Sequence, residues 1–249
     1  MNSFKTRWRI CDLFGIPVYL DITTVFIMLM FLQCGDIVLA LGLSLILAVS
    51  IVAHELGHSL TARCFGCRTT NITLTVIGGC ASMERLPRKA WQEFLVAAAG
   101  PAVSFVLGVT LYVAAMILGL DNYLGLTFFY GAVINFSLGL FNLLPGFPMD
   151  GGRIFRSIAR LFASRVRATY AAMIVGRVAA VALVLLPMLG IYHIWIIPVG
   201  GNIILRCLIA WMIWREGYQE YLLARHEEDF RNWTQDDFEA RVSPPPYER

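Results

Sequence analysis

A chain of 249 residues that is 58% hydrophobic and only 15% charged, with a mean hydropathy of +0.67, has too much apolar surface for one soluble core. That excludes an ordinary soluble domain, and no nucleic-acid partner is expected at a net charge of +3. The composition fits an all-α polytopic membrane protein whose solvent is the lipid bilayer.

The start, Met1 to Ile10, is basic, but no apolar region ending in a small-residue cleavage site follows it, so no removable signal peptide is expected. Apolar stretches fall at Val18 to Leu32, Ile37 to Cys64, Trp91 to Leu120, Tyr123 to Leu144, Ala168 to Leu186 and Ile191 to Trp214, which predicts about six transmembrane helices. The first is short and carries Asp21, so it must thin the bilayer, tilt little, or start as something other than helix. Lys5, Arg7 and Arg9 share a side with Arg63, Arg68, Arg85 and Arg153, whereas the loops around Asp36, around Asp121 and from Pro187 to Gly190 contain no Lys or Arg. Positive residues stay inside, so both termini and the access to any site near Arg63 are predicted to be cytoplasmic, in a multi-pass protein of the cell membrane. Arg177, within the fifth span, needs a protein or water partner.

Five of the six cysteines fall on the cytoplasmic side or in the membrane in this topology, which predicts reduced thiols. Cys64 and Cys67 form a C-x-x-C, but a structural zinc ribbon needs a second pair and only Cys80 follows nearby; the pair reads as incidental. Between the second and third spans, Arg68 to Met83 is rich in Thr, Ile and Val and is broken by Gly78-Gly79, the composition of a small β element. At membrane depth such backbone must be shielded by protein or line a wet cavity; an interfacial hairpin without catalytic part is the alternative. The third span opens on Ala97-Ala98-Ala99-Gly100-Pro101, small residues that permit close helix approach. The fourth ends in Asn142-Leu143-Leu144-Pro145-Gly146-Phe147-Pro148-Met149-Asp150-Gly151-Gly152, which cannot continue a helix.

Gly217 marks a change of character. The last 33 residues hold eight acids and four bases, a net charge of −4, so residues 1–216 are read as the membrane domain and 217–249 as an acidic cytoplasmic tail. The tail is expected to fold back as a helix on the basic inner face, with a solvated tail as the alternative.

His54-Glu55-Leu56-Gly57-His58 lies late in the second span. Residues four apart project from one helix face, so His54 and His58 can bind one Zn²⁺ while Glu55, one step round, reaches a water on it. Two histidines and a glutamate are costly in an apolar span without compensation, which itself points to function. His54 is nine residues before Arg63, about 14 Å in from that boundary. A third ligand must reach that depth: Glu84 and Glu93 are candidates, and Asp150 is the better one because its Pro/Gly-rich loop lets a carboxylate turn inward.

His54-Glu55-Leu56-Gly57-His58, together with Asn142-x-x-Pro145-x-x-Pro148-x-Asp150-Gly151-Gly152, resembles the site-2 protease family of intramembrane zinc metalloproteases. The likeness runs from Phe14 to about Trp214. It implies one Zn²⁺ per chain on His54, His58 and Asp150, with Glu55 as the catalytic base. It further implies that Asn142 binds substrate and that Ile72, Thr73, Leu74, Thr75, Val76, Ile77, Gly78 and Gly79 form an edge that pairs with extended substrate. Asp21 stands where relatives often have a histidine. No PDZ-sized insertion is present and 33 residues are too few for paired CBS domains, so the resemblance is to a minimal form. The implied activity is hydrolysis of peptide bonds in or near the spans of membrane-anchored proteins, as in regulated intramembrane proteolysis. A zinc or proton transporter is the rival reading, but it needs polar residues reaching both faces, and the outer halves of these spans are mostly apolar.

Overall fold

The computed structural model describes residues 7–21, 31, 35–75, 78–83, 87, 89–188 and 203–231. The N-terminal strands β1 (Arg7–Leu13) and β2 (Ile16–Asp21) turn back on each other at Phe14 and Gly15, whose φ values of 52° and 77° suit a tight two-residue hairpin. After the helix Ile37–Cys64 come β3 (Thr69–Thr75) and β4 (Gly78–Met83), antiparallel to each other. β3 lies parallel to β2, with Val18 opposite Ile72, so the four strands form one sheet in the order β1-β2-β3-β4. Ile16, Val18, Ile72 and Leu74 are buried at period-two spacing.

Six helices with described bounds follow the order of the sequence: α1 (Ile37–Cys64), α2 (Ala90–Leu118), α3 (Tyr123–Asn142), α4 (Asp150–Ala159), α5 (Arg165–Met188) and α6 (Ile203–Arg231). Asp36 starts α1 by accepting hydrogen bonds from the backbone N–H of Val38 (2.8 Å) and Leu39 (3.1 Å), and Asn122 starts α3 in the same way from Gly125 (2.8 Å). α2 packs against α1 and α3, α5 packs against α6, and the sheet rests on α1 through β3 and β4. Inside the bundle, Asn135 of α3 donates to Ser50 Oγ of α1 at 2.8 Å. Outside it, Leu45, Val106 and Ile117 present apolar surface suited to lipid.

Among the described residues, four helices, α1, α2, α3 and α5, are long and apolar enough to span a membrane, not six. The expected first span begins as the strand β2, because Ile16 and Val18 alternate inward against β3; most of the rest of it lies outside the described residues. Of the expected last span, 191–202 lies outside them, and α6 then runs through Gly217 into the charged stretch. The β element is likewise larger than expected, since the N-terminal hairpin adds two strands to the pair between α1 and α2. Asp21 closes that hairpin opposite Arg7 (3.8 Å). Arg177 finds its partner in the ring of Trp214, 4.4 Å from its guanidinium carbon.

Candidate metal centre

One face of α1 carries His54 and His58, and α2 crosses it where its residues are smallest. A Cβ on Gly100 would collide with the His58 ring and come within 2.7 Å of His54 Nε2. On α1, between the two histidines, a Cβ on Gly57 would lie 3.0 Å from the Ala99 carbonyl, so the two backbones meet through glycines.

Asp150 arrives from the other side as the first residue of α4. The loop before it is folded so tightly that a Cβ on Gly151 would strike the carbonyls of Leu143 and Leu144, and one on Gly152 would lie 2.7 Å from the Gly146 backbone. A chain turned this sharply points the Asp150 carboxylate at the histidines. Its Oδ2 lies 3.1 Å from both His54 Nε2 and His58 Nε2, which are themselves 3.1 Å apart. The side chains of His54, His58 and Asp150 are 4%, 8% and 13% exposed, so water does little to screen the three donors.

Outer hydrogen bonds hold both rings, and one of them sets the tautomer of His58. His58 Nδ1 lies 2.7 Å from the Val96 carbonyl, which can only accept, so Nδ1 carries the proton and Nε2 presents a lone pair. His54 Nδ1 is held by Ser104 Oγ at 2.9 Å. Two imidazole nitrogens and a carboxylate oxygen thus face one another at 3.1 Å, the donor set of a cation site. Tetrahedral zinc with ligands at ~2.0–2.1 Å spaces its donors about 3.3 Å apart. The donors present fit such an ion, and three of them leave a fourth position for a reactant.

Glu55 is half-buried beside the cluster, and β4 runs past it: a Cβ on Gly79 would lie 2.8 Å from Glu55 Oε1 and from Ile51 Cγ2. Asn142 sits at the end of α3, where its Nδ2 donates to the Leu138 carbonyl at 3.0 Å. Of the residues expected to form a substrate edge, Ile72, Thr73, Leu74 and Thr75 belong to β3, which is an interior strand with β2 on one side and β4 on the other. Among the described residues β3 has a neighbour on each side, so the edge on this side of the sheet is β4, with Gly78 and Gly79; Val76 and Ile77 lie outside the described residues. Glu84 also lies outside them. Glu93 is no ligand: it is buried in ion pairs with Arg156 and Arg160 of α4 (Arg156 Nε to Glu93 Oε1, 2.7 Å; Arg160 Nη1 to Glu93 Oε2, 2.8 Å). Sequence reasoning missed Ser104, although it follows Gly100 by four residues and so shares its helix face. It also missed the Val96 carbonyl, which no side-chain pattern reveals. Cys64 and Cys67 are free, and Cys67 packs on Ala62 and Val96 as a small apolar residue.

The model of peptidase family M50 matches residues 42–127 and 120–186, more than half of the chain and including the entire cluster. The chain belongs to peptidase family M50, with the site-2 proteases. This M50 chain is 32% identical over 228 residues to the zinc metalloprotease MJ0392 of Methanocaldococcus jannaschii, a match covering 90% of this chain and 63% of that protein. It is 34% identical over 255 residues to the putative zinc metalloprotease sll0528 of Synechocystis, covering 95% and 65%. The M50 chain therefore spans a little under two thirds of the length of these curated relatives. Its fold matches the solved structure of the site-2 protease from Methanocaldococcus jannaschii with a TM-score of 0.61 and 30% identity, over 86% of this chain and 95% of that one.

Proposed function

We propose that this protein is a zinc endopeptidase that hydrolyses peptide bonds in or near the transmembrane segments of membrane-anchored proteins, as in regulated intramembrane proteolysis. The observation that carries the reading is the convergence of Asp150 with His54 and His58, which lie beside Glu55 in a helix of spanning length. The relatives described as zinc metalloproteases support zinc as the ion. When bound, such an ion supplies Lewis-acid polarisation of a carbonyl and lowers the pKa of a coordinated water toward neutrality.

The chain's own residues supply the rest. His54 and His58 hold the ion through Nε2; the Val96 carbonyl fixes the tautomer of His58, and Ser104 Oγ holds the His54 ring by its Nδ1. The Glu55 carboxylate takes a proton from the attacking water as the new C–O bond forms, then delivers it to the amide nitrogen as the C–N bond breaks. A substrate helix must unwind first, because its carbonyls are tied up internally. We assign the edge that receives the unwound strand to β4, Gly78 to Met83, which passes directly over Glu55. Asn142 is proposed to contact substrate at the end of α3. The distribution of Lys and Arg supports an orientation with both termini and the site's access cytoplasmic, in the cell membrane, residues 1–216 forming the protease domain and 217–249 an acidic tail.

The test is the full chain purified in detergent, assayed for bound metal and for cleavage of single-span substrates. Glu55→Ala is expected to retain metal and lose about 10²- to 10⁴-fold in cleavage rate, the range for a general base; His54→Ala is expected to lose both. Native-rate cleavage by Glu55→Ala would eliminate the assignment.

A further inference from the structure

Arg156 is wholly buried, yet nothing in the proposed chemistry uses it. It lies six residues into α4 from Asp150, about 9 Å along the helix. Its guanidinium reaches three elements: Glu93 in the first turn of α2, Glu220 of α6 (2.8 Å), and the face of Phe147, whose ring centroid is 4.9 Å away. Burial alone would lower its pKa, but the Glu93 and Glu220 carboxylates outweigh that and raise it above the ordinary arginine value. Arg160 pairs with Glu93 as well, so among the described residues two cations and two anions meet here.

Both ends of this cluster lead to the metal centre. Glu93 is three residues before Val96, whose carbonyl orients His58, and Phe147 is three residues before Asp150. α6 touches the same loop a second time, where Ile213 packs with Met149, the residue preceding Asp150. Ile213, Gly217, Glu220, Ala224 and Glu227 recur at spacings of four and three along α6, which places them on a single stripe. Along it Ile213 and Ala224 are buried, Gly217 faces Met173, Glu220 meets Arg156, and Glu227 meets Arg165 (2.7 Å).

We infer that Glu220 is a positioning residue: by closing the Arg156–Glu93 cluster it fixes α4 and with it the Asp150 carboxylate, which makes the C-terminal helix a lever on the metal centre. This rests on reading His54, His58 and Asp150 as metal ligands. Without Glu220 the buried Arg156 loses one of the two carboxylates that face it in a place largely closed to water, and α4 relieves this by shifting Arg156 outward. Asp150 moves with it, because Gly151 and Gly152 leave no slack between the loop and the helix. Any partner or segment that draws α6 away acts on the site in the same sense.

The test is competition of the intact detergent-solubilised protein with a chromophoric chelator for Zn²⁺, and for Co²⁺, whose visible spectrum reports the ligand geometry. Glu220→Ala is expected to weaken metal affinity about tenfold, the lower end of the range for residues behind metal ligands, and to alter the Co²⁺ spectrum. Glu220→Gln, which keeps the shape and one acceptor, is expected to fall between it and wild type and serves if the alanine variant does not fold. Glu227→Ala removes the neighbouring ion pair on the same stripe and is expected to leave affinity within twofold. Unchanged affinity and spectrum in Glu220→Ala, even with a lower thermal midpoint, would reduce Glu220 to a structural contact and overturn the inference. Equal losses in Glu220→Ala and Glu227→Ala would overturn it too. A wild-type protein that binds metal but cuts no peptide would defeat the protease reading while this comparison stood.

Discussion

Gly100 has no side chain because the His54 and His58 rings occupy the space a Cβ would need. Gly100→Ala is therefore expected to push α2 off α1 and abolish stoichiometric metal binding, as measured by metal analysis of the purified protein. Ser104→Ala is nearly isosteric, and it removes only the partner of His54 Nδ1. The expected outcome is a 10- to 100-fold loss of metal affinity with the fold intact, checked by chelator competition beside circular dichroism. His54, Glu55 and His58 were legible in sequence because a helix converts a spacing of four into one face. Asp150 was legible because its Pro/Gly-rich loop cannot continue α3. Ser104 and the Val96 carbonyl were not, since which α2 atoms meet a histidine depends on how the helices cross. Glu93, weighed as a ligand from its position alone, is taken by Arg156 and Arg160, and only the packed structure brings those charges to it.

At the scale of elements, the sheet changes where an extended substrate can add. β3 has β2 on one side and β4 on the other, so its backbone groups are committed, while among the described residues β4 pairs with β3 alone. Proline placed in turn at Cys80, Ala81 and Ser82 is expected to impair cleavage of a membrane-anchored substrate at alternate positions by tenfold or more while metal content stays at wild-type level. Equal cleavage by all three variants would remove strand addition at this edge. The strand character of Arg68 to Met83 was readable from its Thr, Ile and Val content. That β2 lies beside it was not, because strand pairing brings together segments about 50 residues apart and leaves no local mark. α6 follows the same logic: its acids at 220 and 227 gain meaning only when the helix lies against α4 and α5.

For the whole molecule, the metal centre joins α1 and α4, and α2 holds the histidines from behind, so occupancy by metal should tie the bundle together. Chelation is expected to lower the thermal midpoint; a site filled at a hundred times its dissociation constant contributes about 2.7 kcal/mol. Scanning calorimetry with and without chelator checks this, and His58→Ala, already without metal, is expected to show no shift. The amino-acid sequence by itself determined the membrane class, the positions of the long apolar helices and the two motifs, since hydropathy and local spacing act over a few turns of chain. The tertiary structure alone decided that the N-terminal segment joins the sheet, that β3 is interior, that Ser104 and Val96 orient the histidines, and that Arg156 of α4 pairs with Glu220 of the C-terminal helix. Each of these depends on distant segments meeting in space, where sterics and charge compensation choose the partners.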